Sequence, residues 1–137
     1  MSDALVRAPI APRIHQPGGE PSEEPRGAPG GPSGVLLVLT TVAAGPEAGA
    51  LALALVEERL AACVHVLAPM TSVYRWRDRI EQDAEQQLVI KTTHGRLPAL
   101  RTRLAELHPY QLPELIVVAV DDGSPAYLDW VRQQTAV

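Results

Sequence analysis

Large apolar residues gather from Val35 onward, and their spacing changes block by block. "VLLVLTT" (35–41) is a short continuous run rich in β-branched residues, the pattern of a strand covered on both faces. "AAGP" breaks it. Pro46 and Glu47 then suit a first helical turn, where a missing amide costs little and a negative charge meets the helix dipole favourably. The predicted helix runs through Leu60, with Leu51, Leu55 and Val56 on one broad face. "ACVHVLAPMTSVYRW" (62–76) reads as a strand in which Ala62, Val64 and Val66 alternate with Cys63, His65 and Leu67. Pro69 interrupts it, as an edge position or a bulge. Arg77-Asp78-Arg79 suits a hairpin turn, although it lacks the favoured Asn-Gly or Asp-Gly pair. "IEQDAEQQLVIKTT" (80–93) returns as a strand, polar at first and apolar from Leu88 to Ile90.

A second helix is predicted from Leu97, Leu100, Leu104 and Leu107, with Arg101, Arg103 and Glu106 facing away. Pro98 fits its first turn, and Pro109 ends it by disfavouring the α region at His108. "ELIVVAV" (114–120) reads as a last strand buried on both faces. Ser124 and Pro125 then open a short terminal helix as cap and first position. The order is βαββαβ plus a C-terminal helix, an α+β, ferredoxin-like sandwich with a long hairpin between its second and third strands. Right-handed crossovers put both main helices on one sheet face. The other face and the polar-edged hairpin need cover that one small domain does not supply, and a subunit interface is the direct way to supply it.

Residues 1–34 are of another kind. "HQPGGEPSEEPRGAPGGPSG" is dense in Pro, Gly and Glu, too poor in apolar surface to offset the entropy of ordering, and is expected to be a disordered tail preceding a domain over 35–137.

Composition narrows the function. With 12 Lys and Arg against 16 Asp and Glu, 4% aromatic residues and no Phe, the chain lacks the basic stripe and the stacking surface of a nucleic-acid binder. One cysteine, Cys63, excludes an intrachain disulfide framework and suits a reducing cytoplasm. No run has the length of a signal peptide core or a membrane span, so no membrane insertion is expected.

Five stretches, "RLAACVHV", "TSVYRWRDRIEQDAE", "LVIKT", "LHPYQLPELI" and "YLDWV", resemble in order and spacing the CutA family of divalent-cation tolerance proteins. The resemblance covers residues 35 to 132. It implies a ferredoxin-like fold akin to that of the PII signalling proteins, a tight homotrimer bridged by the long hairpins, and a link to copper tolerance. In that trimer Tyr74 and Trp76 would anchor the subunit contact, and Tyr74, Trp76, Lys91, His108, Tyr110 and Glu114 would gather at an intersubunit cleft. Some members bind copper through a first-strand cysteine and two adjacent histidines before "PY". This chain has Thr40 and Leu107 at two of those positions and keeps only His108.

The residues themselves offer two metal candidates. Cys63 and His65 lie two apart on a strand and share a face, and thiolate with imidazole suits copper or zinc; the plainer role for Cys63 is a small core residue. His108 stands at a helix end with Glu106 and Glu114 nearby in sequence, where its plainer role is to meet the last helix carbonyls. Lys91, the chain's one lysine, reads as a charge at a sheet edge or an anion contact. Glu81, Asp83 and Glu85 alternate along one strand as a solvated face or a weak cation patch. Without a phosphate loop, an acylphosphatase-type arginine or a triad motif, no catalytic residue and no organic cofactor is expected. The sequence reading is thus a cytoplasmic homotrimer binding Cu(II), another divalent cation or a small ligand through His108, then Cys63. The alternative is a PII-like trimeric regulatory scaffold acting on a protein partner without a physiological metal.

Overall fold

The computed structural model describes residues 31–137, so the expected disorder of the N-terminal tail falls almost wholly outside the described residues. Strand β1 (Val35–Ala43) leads through Gly45 into α1 (Pro46–Glu57). A short β2 (Cys63–Val66) is followed by the hairpin of β3 (Met70–Trp76) and the 15-residue β4 (Arg79–Thr93). A turn of 3₁₀ helix at His94–Arg96 runs into α2 (Leu97–Leu107). Then come β5 (Ile116–Ala119) and α3 (Pro125–Thr135), the last capped by the Ser124 hydroxyl, which accepts from the Tyr127 amide at 3.5 Å.

The sheet is antiparallel in the order β2-β4-β1-β5, with β3 also on β4. Taking β2 and β3 as one interrupted strand, this is the ferredoxin-like arrangement expected from the element order. Pro69 is where the predicted 62–76 strand divides: it brings no amide to a ladder, and after the Leu67 amide bonds the Gln87 carbonyl at 2.9 Å the chain leaves the sheet until β3 begins at Met70.

Alternation assigns the two faces. Val38, Val42, Leu88 and Ile90 point under α1 and α2 and pack with Leu51, Leu55, Leu100 and Leu104, all buried. Val56, placed by the sequence on the same apolar face, is instead 39% exposed, because the helix ends a residue later and turns away. The opposite face is covered only at one end, where α3 packs Leu128 and Val131 on Val35 and Ala62. Between that end and the hairpin, Ile116 and Val118 stand 47% and 43% exposed opposite Leu39 and Leu37. The expectation that β1 and β5 are covered on both faces is therefore not met among the described residues. Helices α1 and α2 cover one face, α3 covers one end of the other, and the apolar run marks a stretch of that second face that the described residues leave bare.

α1 ends in a Schellman turn. The Leu60 amide bonds the Leu55 carbonyl at 3.0 Å and the Arg59 amide that of Val56 at 3.1 Å, with Arg59 at φ 57°. Glycine is the residue that adopts this position without strain. The hairpin turn consists of Arg77 and Asp78, at φ 49° and 63°, the type I′ geometry matching the strands' twist.

Candidate functional site

The bare sheet face deepens into a cleft at the end remote from α3. The pairings Met70 with Glu85, Ser72 with Asp83 and Tyr74 with Glu81 turn these side chains to the same face, which continues that of Thr41 and Gln87 on β1 and β4. The loop after α2 returns across this surface with Tyr110, Pro113 and Glu114. Without Glu81 and Asp83, which lie farther out along the hairpin, these residues enclose about 460 Å³, walled by Tyr74, Arg75 and Trp76 and floored by Glu85.

His108 sits behind the cleft, 6% exposed, where Pro109 has already forced the chain out of the helix; His108 itself is extended, at ψ 130°. Its Nδ1 accepts the Tyr110 amide at 3.1 Å, which leaves the proton on Nε2, and Nε2 donates to the Thr41 carbonyl at 2.9 Å. Burial lowers the His108 pKa, against the opposing pull of the Thr41 carbonyl and the Glu85 charge, so the ring is held neutral. It meets Tyr110 edge-on, centroids 4.8 Å apart at 61°.

The Tyr110 hydroxyl donates to Glu85 Oε2 at 2.7 Å, and Glu85 is 4% exposed. Burial and then this bond push the phenol well above its usual range. Glu114 lies near the pair, and burial first, then the charge of Glu85, raises its carboxyl above the usual range. Its Oε2 is buried with no hydrogen-bond partner among the described residues. Both amide atoms of Gln111 and the Thr40 hydroxyl are in the same condition. The Tyr74 hydroxyl donates to the Asp83 carboxylate. Arg75 also lines the cleft, at the hairpin, so its cation-seeking part is the inner end, where the oxygen donors of Glu85 and Glu114 meet aromatic walls, a setting that suits a divalent cation or an organic ammonium group.

Of the residues expected at the cleft, the structure brings together Tyr74, Trp76, Tyr110 and Glu114. Lys91 lies toward the α3 end of the sheet, where its ammonium donates to the Tyr127 hydroxyl at 3.0 Å and sits 5.2 Å from that ring's centroid. Cys63 pairs with Lys91, which pairs with Leu37, whereas His108 is anchored at Thr41. Cys63 and His108 are thus two strand spacings (about 10 Å) and four residues (about 13 Å) apart, and cannot hold one ion within a chain. Among the described residues, no group of three or more His, Cys, Asp or Glu side chains could hold a metal ion.

Glu85 is the residue that pattern reasoning missed. Glu81, Asp83 and Glu85 read as a solvated face, but burial deepens along β4 until Glu85 is enclosed. The signal was its place at the polar-to-apolar boundary of 80–93, where the strand leaves the hairpin and enters the sheet.

Fold and cleft together define the class: a ferredoxin-like sandwich with an aromatic-walled, carboxylate-bearing cleft on the sheet face opposite α1 and α2. A sequence profile described as CutA1 divalent ion tolerance protein matches residues 36–134, and the chain belongs to that family. The divalent-cation tolerance protein CutA of Thermus thermophilus is 44% identical over 99 residues, 72% of this chain and 96% of that one. The crystal structure of CutA from Xylella fastidiosa superposes with a TM-score of 0.73 at 45% identity, covering 75% of this chain and 99% of that one. CutA from Synechococcus elongatus, solved in complex with a Bis-Tris molecule, superposes at 0.67 with 46% identity, covering 73% and 92%.

Proposed function

We propose that the protein is a cytoplasmic, homotrimeric divalent-cation tolerance protein that takes a cation, a metal ion such as Cu(II) or a protonated amine, at clefts between its subunits. The observation that carries this reading is the Glu114 carboxylate oxygen, buried beside Glu85 without a partner. A buried polar atom left unpaired costs about 1–3 kcal/mol, and a cation in the cleft removes that penalty. The bare strip of Ile116 and Val118 and the exposed hairpin residues Val73 and Ile80 support the trimer, since monomers seldom leave such surface to water. The Bis-Tris found with the Synechococcus relative, an amine, supports the small-ligand half of the reading. No helix among the described residues is long and apolar enough to cross a membrane. The cytoplasmic assignment rests on the lone free thiol.

A second reading is a PII-like trimeric scaffold without a physiological metal, acting through a protein partner. It is favoured by the two backbone bonds that occupy both nitrogens of His108. Native mass spectrometry with copper(II), zinc and Bis-Tris tests the two. A trimer that loads in units of one or three, and stops loading in Glu114→Gln, supports the cation reading. A trimer that loads nothing supports the scaffold, and a monomer overturns both.

A further inference from the structure

At the opposite end of the sheet, a second groove of about 450 Å³ opens where β1 begins, β4 ends and α3 finishes. Its charged lining is His94 and Arg96, from the start of the helical segment, and Arg132 from α3. Arg59, at the end of α1, stands behind Arg96. The guanidiniums are held mainly by backbone carbonyls. Arg96 Nε donates to the Arg59 carbonyl at 3.3 Å, Arg59 Nη1 to that of Gln134 at 3.3 Å, and Arg132 Nη2 to that of Ser33 at 2.6 Å. A carbonyl fixes a guanidinium without neutralising it.

On α2, by contrast, Arg103 is neutralised by two acids, Glu58 and Glu106, each at 2.9 Å. Here Arg132 has Asp129 at 2.7 Å, but Arg59 and Arg96 have no carboxylate partner among the described residues. Val137, at the groove's lip, is wholly exposed. In a chain of net charge −4, two guanidiniums and an imidazole line one groove, with a third guanidinium, that of Arg59, behind them. Arg59 also occupies its left-handed position at a cost that glycine would avoid, and its carbonyl is the one that orients Arg96.

We infer that this groove is an anion site for the phosphate group of a small molecule, gripped by Arg96 and Arg132 with His94 at the rim. Guanidinium presents paired N–H groups that match two phosphate oxygens, and such charge-assisted bonds are about twice as strong as neutral ones. The Thr93 and Thr135 hydroxyls, 3.5 Å apart, complete the lining.

The test is an amide-resolved NMR titration of the full chain at constant ionic strength with pyrophosphate, ATP and, as a phosphate-free anion, acetate. Pyrophosphate is expected to shift Gly34, Thr93 and Gly95 saturably. Arg96→Gln should weaken it about tenfold or more, as loss of one charged hydrogen bond predicts, while the exposed Arg101→Gln on the outer side of α2 leaves it unchanged. ATP binding as tightly as pyrophosphate would place recognition in the phosphates, and tighter ATP binding would bring in the nucleoside; either keeps the anion site. Arg132→Lys, which keeps the charge, should bind more weakly than wild type but better than Arg96→Gln. No saturable shift at millimolar pyrophosphate, equal shifts with acetate, or equal losses in Arg101→Gln and Arg96→Gln would overturn the proposal.

Discussion

His108 Nε2 lies 2.9 Å from the Thr41 carbonyl oxygen, while the other ring nitrogen holds the Tyr110 amide. The imidazole thus ties the end of α2 to the end of β1 and fixes the loop that closes the cleft. His108→Ala leaves a buried acceptor and a buried donor unpaired, at about 1–3 kcal/mol each. The expected outcome is a drop in melting temperature of about 4–8 °C for each kcal/mol lost. Copper loading of the folded variant should change little, because neither nitrogen is available as a ligand. Metal uptake abolished with the melting temperature unmoved would assign the ring to the metal instead.

The same ring gives stability a pH dependence. The folded pKa of His108 lies below the ordinary 6.5, so the unfolded chain binds more protons below that pH. Its contribution is therefore complete above about pH 6.5 and is lost as pH falls toward the folded value. Glu114 acts in the opposite sense. Its folded pKa is raised above 4.5, so its protonated form favours folding at low pH, and that contribution is lost as pH rises through the folded value. Stability measured by urea unfolding across pH 4 to 8 should slope upward less steeply in His108→Gln and more steeply in Glu114→Gln. Parallel curves for wild type and both variants would remove the two groups from the pH response.

Tyr110 and Glu85 are best tested as a pair. Tyr110→Phe keeps the ring against His108 but removes the hydroxyl that Glu85 accepts, leaving a carboxylate that is 4% exposed without that donor. The expected loss is about 1–3 kcal/mol. Adding Glu85→Leu removes the orphaned charge and should recover much of it. A double variant no more stable than Tyr110→Phe would mean that Glu85 is solvated in the assembled protein.

Much of this was legible because the relevant physics is local. Pro98, Pro109 and Ser124 set helix ends through missing amides and a cap, and Leu100 and Leu104 fall inward by helical spacing. The cleft was harder. Tyr74, Trp76, Tyr110 and Glu114 came into view through family resemblance, since three separate segments meet there only after the sheet has formed. Glu85 shares its spacing with Glu81 and Asp83, and its burial depends on where the returning loop lands. Lys91 stood out in sequence, but its partner Tyr127 is 36 residues away on α3, beyond any periodicity. The groove at Arg96 and Arg132, with Arg59 behind it, is held together by backbone carbonyls of separate elements, which no residue pattern encodes.

The hairpin that frames the cleft carries a local conflict between sequence and geometry. Arg77 and Asp78 both adopt positive φ, where a Cβ meets the following carbonyl at a cost of roughly 1–2 kcal/mol per residue. Aspartate tolerates this better than most residues, and glycine avoids it, at the expense of more chain entropy lost on folding. The two terms leave Asp78→Gly stabilising by about 0.5 kcal/mol, while Asp78→Val, β-branched at the same angle, should cost about 1–3 kcal/mol. Both substitutions leave Tyr74, Trp76 and Glu85 untouched, so thermal unfolding reports the turn alone. If the hairpin also braces a neighbouring subunit, Asp78→Val should lower the trimer's dissociation temperature in native mass spectrometry along with the melting temperature. A melting temperature that falls with assembly unchanged would confine the hairpin's role to its own chain.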